Sequence, residues 1–181
     1  MAHSKSIDNE IKLSDTQYIL SRTDSLGVIE YANEYFEEIC GYSEAELIGR
    51  PHSIVRHPDM PKVLFKMMWE RINKGEDIRA IVKNLAKDGS YYWIVTEFES
   101  KIDPVTNRIV SHTAFGRCVP QKAINTIAPI YKKILEIEKE HNIQASEDYL
   151  LEFLEKNNTT YNEYVEKLIS SKGILKHLLR L

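Results

Sequence analysis

Cysteine is scarce in this sequence. Only Cys40 and Cys118 are present among 181 residues, far apart and outside any C-x-x-C pair or zinc spacing. A disulfide framework and a cysteine-built metal site are therefore excluded, and buried free thiols in a reducing compartment are expected. Long apolar runs are missing too: no stretch approaches the roughly 18 residues that a membrane-spanning helix needs. The polar start, Met1 to Lys12, has no apolar core of the signal-peptide kind. Charge of one sign is also lacking, since a net charge of -3 gives no electrostatic case for nucleic acid. There is no G-x-G-x-x-G, Walker motif, nucleophile elbow or kinase signature, and neither cysteine has a local base. No catalytic residue is assigned, and a cytoplasmic protein with no direct membrane insertion is expected.

What is present is ordinary globular material, 43% hydrophobic and 28% charged. Residues 1–15 read as a frayed or partner-ordered arm. Two short strands, Tyr18–Thr23 and Val28–Tyr31, flank the turn signal Asp24-Ser25-Leu26-Gly27. Asn33 is placed to cap a helix carrying Phe36, Ile39 and Cys40, which Gly41 ends. Ser43 and Glu46 form a capping box for a very short helix. Pro61 opens a longer helix running to about Asn73, whose Met68 and Trp69 read as core. Strands follow over 78–86, 91–99 and 108–117, joined by turns at Lys87-Asp88-Gly89-Ser90 and Asp103–Asn107. This makes an α+β domain, a five-stranded antiparallel sheet with short helices, over residues 16–120.

Residues 121–181 are wholly helical in pattern. Pro129 is expected to kink or restart the first tail helix, and Ser146 to cap the second. Thr160 and Glu163 form a capping box for the third, and a short segment over 174–181 follows Gly173. Each tail helix has one apolar face. The stripe Ile127, Ile130, Tyr131 and Ile134, together with the sheet face, is read as surface for a partner or a homodimer, against the alternative of self-packing.

The chain is organised around Gly49–Pro61. Three prolines and a glycine within thirteen residues keep regular structure out, yet two histidines, two arginines and an aspartate sit there. Such a loop between ordered elements suits a ligand, the alternative being a rigid connector whose charges face water. A metal site from His52, His57 and Asp59 has legitimate ligand types but no compact motif spacing. Cationic and amide donors for a phosphate-bearing ligand are available at Arg56, His57, Lys83 and Asn84.

Tyr31-Ala32-Asn33, Gly41-Tyr42-Ser43, Glu46-Leu47-Ile48-Gly49 and Lys87–Ile94 resemble a PAS domain. The loop Pro51-His52-Ser53-Ile54-Val55-Arg56-His57-Pro58-Asp59-Met60-Pro61 is similar to the signature of Aer-type energy-taxis sensors, and Gly75-Glu76 and Val82-Lys83-Asn84 agree with it. The stand-alone CetB form is the nearer likeness, as no membrane segment or signalling domain accompanies the loop. The resemblance implies the PAS fold, non-covalent FAD, and a redox sensor for aerotaxis. It also implies a separate membrane-bound, chemoreceptor-like transducer in trans, at which the protein would be peripheral to the inner membrane. It carries the flavin-binding role to Asn33, Arg56, His57 and Asp59. Three positions depart from the pattern: Ile78 where the family type has tryptophan, Ser53 for asparagine, and Phe115-Gly116-Arg117 for Ser-x-Arg. Haem held by His52, His57 or His112, an oxidoreductase use of the flavin, and a cofactor-free interaction module are the alternatives. Deleting 121–181 is expected, on this reading, to leave a core that keeps FAD and loses the transducer.

Overall fold

Alternation of apolar and polar residues builds the sheet that carries everything else. The computed structural model describes residues 6–170, so the segment expected over 174–181 lies outside the described residues. The strands are β1 (Ile19–Asp24), β2 (Ile29–Ala32), β3 (Arg79–Leu85), β4 (Tyr91–Ile102) and β5 (Ile109–Cys118). They pair antiparallel in the order β2-β1-β5-β4-β3, leaving β2 and β3 as edges. The α+β class and the five-stranded sheet are as expected.

The helices before β3 are α1 (Glu34–Cys40), α2 (Glu44–Leu47) and α3 (Lys62–Ile72). Their local signals operate as read. The Asn33 side chain accepts from Phe36 N–H at the start of α1, and Gly41 closes it in the left-handed conformation at φ 71°. Both halves of the Ser43/Glu46 capping box are formed.

The proline-rich loop has a structural task that its composition alone does not reveal. It enters along edge strand β2, with Ile29 N–H donating to Arg50 O (2.8 Å) and His52 N–H to Gly27 O (2.9 Å). A single 3-10 turn, His52–Val55, follows. It leaves by a bridge between Arg56 and Asn84 on the opposite edge, β3. The loop is thus a strap across one face of the sheet, tied at both edges. Proline stiffness suits a strap, because a crossing segment has few ladder bonds to hold it.

The described part of the arm is held against the start of β4. Ile7 N–H donates to Gly89 O and Ile11 N–H to Tyr91 O, both 2.8 Å, and Tyr91 N–H donates back to Asn9 O. The free backbone at the start of β4 fixes a segment that composition suggested would fray. Cys40 is fully buried, whereas Cys118 is only half-buried, its thiol 3.0 Å from Asp15 Oδ1.

The tail forms α4 (Gln121–Glu140), α5 (Ile143–Lys156) and α6 (Tyr161–Ile169). Two local expectations are corrected. Helix α4 does not restart at Pro129 but runs through it; Pro129 is exposed together with Asn125, so the carbonyl it leaves unpaired faces water. Asn142, not Ser146, caps α5: its Oδ1 accepts from Ala145 N–H, while Ser146 is buried in the first turn and donates to Ile143 O.

The stripe expected to serve a partner is used within the chain at three of its four positions, Ile130 being half-buried. Ile127, Tyr131 and Ile134 are buried within the chain itself. Tyr131 stacks on Trp93 of β4, and its hydroxyl donates to Ile81 O (2.8 Å) and meets Tyr161 O–H (2.5 Å). Asn162 Oδ1 accepts from Arg79 N–H, and Lys83 N–H is directed at Met60 Sδ. Alternate residues of β3 thus have their outward backbone groups met by side chains of the tail and the strap, which protects an edge otherwise open to further pairing. Replacing Tyr131 by Phe is expected to lower stability by about 1–3 kcal/mol, because the buried Ile81 O would lose its donor and Tyr161 O–H one of its partners. The urea midpoint reads this directly, and an unchanged midpoint would remove the hydroxyl from the edge's support.

Candidate functional site

Between the strap and the sheet lies a cavity of about 300 Å³. Its floor is the inner face of the strands: Ile19, Ser21 and Thr23 of β1, Val82 and Asn84 of β3, Ile94 and Thr96 of β4, and His112 and Gly116 of β5. Helix α3 contributes Phe65, Met68, Trp69 and Ile72, α1 contributes Phe36, and the strap contributes His52, Ser53 and Arg56. Gly27, in the β1–β2 turn at φ 84°, passes so close to Trp69 that a Cβ there would lie 2.7 Å from the indole ring. The site has apolar and aromatic walls with a few convergent polar groups, the usual make-up of a small-molecule site, and its volume is near the lower end of the range.

Two of the six residues singled out in the sequence face this space. Arg56 lays its guanidinium 3.7 Å over the Phe65 ring centre, and its Nε is buried with no hydrogen-bond partner among the described residues. Burial draws its pKa down, partly countered by the Glu138 carboxylate of α4. Asn84 is buried on the cavity side of β3.

The other four are committed elsewhere. Asn33 spends its side chain joining β1 to α1: Oδ1 accepts from Leu20 and Phe36 N–H, and Nδ2 donates to Tyr18 O (2.8 Å). His57 is 1% exposed and anchors the arm and the strap. Asp59 N–H donates to its Nδ1 (3.0 Å), so Nε2 bears the proton and donates to Ser6 Oγ (2.8 Å). Lys83 donates to Asp59 Oδ2 (2.6 Å) and lies over the Tyr91 ring. Asp59 is largely exposed; burial pushes its carboxyl up, and the hydrogen bond and charge of Lys83, with His57 and Lys139, together hold it below the usual range. Among the described residues, no group of three or more His, Cys, Asp or Glu is arranged for a metal ion.

Sequence reasoning missed the cavity role of Trp69, which it placed in the core. An indole on the face of α3 toward the strap is the signal that could have found it. Ile78, which stands where the family type has tryptophan, is packed in the core at 1% exposure and does not line the cavity, whereas Trp69 does. His52 stacks on Phe36 and its Nε2 lies 3.0 Å from Ser21 Oγ.

Burial, with the Arg56 charge adding to it, pushes the His52 pKa down to about 4. Burial and Lys83 do the same to His57, to about 4. Both start from an ordinary value of 6.5. The unfolded chain therefore binds protons between those values that the folded chain does not. Stability is full above the ordinary value and is lost as pH falls toward about 4. The urea midpoint is expected to drop between about pH 7 and about pH 5, and a flat midpoint over that range would overturn the neutral assignment of these rings.

The arrangement fits a planar heteroaromatic ring. Aromatic walls would sandwich it, and the orphaned Arg56 Nε and the Asn84 amide offer polar contacts at its edge. No helix among the described residues is long and apolar enough to cross a membrane.

Residues 29–106 match the family described as the PAS fold. The aerotaxis receptor of Escherichia coli is 35% identical over 122 residues, covering 67% of this chain and 24% of that protein. The bacterioopsin transcriptional activator of Halobacterium salinarum is 32% identical over 75 residues, covering 41% of this chain and 11% of that protein. Among solved structures, a variant of the PAS-B domain of Drosophila melanogaster Cycle, with bound glycerol, superposes with a TM-score of 0.50 at 18% identity. It covers 55% of this chain and 97% of that one, which shows the shared fold. The chain thus spans a quarter or less of the length of these two curated relatives.

Proposed function

On the premise that this chain carries a PAS sensor domain related to an aerotaxis receptor, we propose that it is a cytoplasmic redox sensor for energy taxis. In this reading it binds FAD and reports the redox state to a separate membrane-bound chemoreceptor-like transducer. The observation that supports the reading most is the cavity under the strap, aromatic on its walls and bordered by a half-buried cation, Arg56, whose Nε is buried and unsatisfied. Bound FAD supplies a flat ring whose charge and edge hydrogen bonding change on reduction.

The chain's own residues do the rest. Trp69 and Phe36 wall the ring, and Arg56 and Asn84 hold its polar edge. The cavity's size would suit the ring end of the cofactor, and Leu26, Pro51 and Ser53 line its exposed side. Asn33, His57, Asp59 and Lys83 act as the frame that holds the strap and the arm in place. Arg56 also provides an outlet. It lies within the influence of Glu138, whose carboxylate accepts from Val63 N–H (3.2 Å) at the start of α3. A ligand that draws on Arg56 changes the charge balance at this α3–α4 junction, a local electrostatic event with a readout in the tail.

Purified full-length protein is expected to show the two-banded near-ultraviolet and blue absorption of oxidised flavin, bleached by dithionite. A featureless spectrum after incubation with FAD would overturn the reading, and a Soret band would replace it with haem at His52 or His112.

A further inference from the structure

His112 is the buried group in this cavity that the account above leaves unused. It is 2% exposed and pairs across the sheet with Ser100 of β4. Its ring stands edge-on to Trp69, with centres 5.8 Å apart. Nδ1 lies 2.9 Å from Ser100 Oγ, whereas Nε2 is buried with no partner among the described residues. A histidine kept only for packing would leave that nitrogen unsatisfied at appreciable cost, and most buried polar atoms are satisfied.

Ser100 makes the arrangement reversible. Its hydroxyl has one hydrogen and two acceptors in reach, His112 Nδ1 and Ile72 O, the latter 3.2 Å away at the end of α3. If Ser100 donates to Nδ1, the ring proton is on Nε2. If Ser100 donates to Ile72 O, Nδ1 carries the proton and donates to Ser100, and Nε2 offers a lone pair. Burial lowers the pKa of this histidine, so the ring holds one proton in either arrangement.

We propose that His112 is the cavity's recognition residue, its Nε2 contacting the polar edge of a planar heteroaromatic ligand, with Ser100 setting whether that contact donates or accepts. This rests on the ring-binding reading of the cavity. An acceptor edge selects the Nε2–H form and takes the serine hydrogen from Ile72 O. A donor edge selects the other form and returns it. The number of protons is unchanged, and one hydrogen bond at the end of α3 is made or broken. A ligand whose edge turns from acceptor to donor on reduction is therefore read by the same pair of side chains.

The test uses the full chain with ring-15N histidine, and FAD and lumiflavin as separate probes. Lumiflavin carries the ring without the dinucleotide. Adding either probe is expected to move the His112 ring signals, identified by their absence in His112→Phe. That variant should bind both probes at least about tenfold more weakly, while His112→Gln, whose amide can donate or accept, stays within about threefold of the native chain. Equal binding by the native chain and His112→Phe, with unmoved ring signals, overturns the inference and leaves the flavin reading standing. If lumiflavin binds and moves the signals but FAD does not bind, the FAD reading falls and the role of His112 holds. If neither probe binds, both fall.

Discussion

A chain ending at Pro120 is expected to lose cooperative folding, or to precipitate, instead of surviving as a sensor core. Ile81, Trp93 and Val95 share the outer sheet face in the β3–β4 register and are all buried. Tyr131 is the ring stacked on Trp93, and α6 lies along β3. Removing residues 121–181 would expose these side chains at about 1.5–3 kcal/mol each. It would also replace the partners of Arg79 N–H and Ile81 O by water, at about 0.5–1.5 kcal/mol each. Together these losses approach the 5–15 kcal/mol that separates typical folded and unfolded states. The uncovered edge strand would invite pairing between chains. Size-exclusion chromatography and a circular-dichroism melt of the truncated chain check this. A soluble, cooperatively melting product that still takes up FAD would show the tail to be dispensable and restore the sequence-based expectation.

Arg56→Ala and His57→Ala, adjacent and expected from sequence to act alike, should have different effects. Arg56 faces the cavity with an unsatisfied Nε, so its truncation is expected to cost ligand affinity: about 1.5–3 kcal/mol for a charge-assisted contact, or roughly ten- to a hundredfold in FAD binding. Its rim position over Phe65 predicts a small change in melting temperature. His57 is buried between the arm and the strap and bonds to Ser6 and Asp59 N–H. Its truncation is expected to cost about 2–4 kcal/mol of stability through a cavity and two broken hydrogen bonds. Flavin loss in His57→Ala should follow the loss of fold and recover under stabilising conditions. Equal melting temperatures with equal flavin loss would refute this division and return His57 to the ligand.

The sequence by itself determined what depends on neighbours a few residues away. The Asn33 cap on Phe36, Gly41 and the two capping boxes act through groups within one turn, and the turns at Asp24–Gly27 and Lys87–Ser90 set the strand boundaries. Periodicity of two and of 3.6 then fixed the order of the elements. Where a cue depended on wider context, it misled: Pro129 is tolerated because its side of α4 faces water, and Ser146 yields the cap to Asn142. Tertiary structure alone decided which polar residues meet. The strap is tied to β2 at one end and β3 at the other, so Arg56 and Asn84 come to one cavity while His57, one residue on, turns away from it. His112 and Trp69, from β5 and α3, join them although 43 positions separate the two in the chain. The tail's apolar stripe could not declare its occupant, because a helix face looks the same to a partner as to its own sheet. The open backbone of β3 and the indole of Trp93 make the sheet the occupant here.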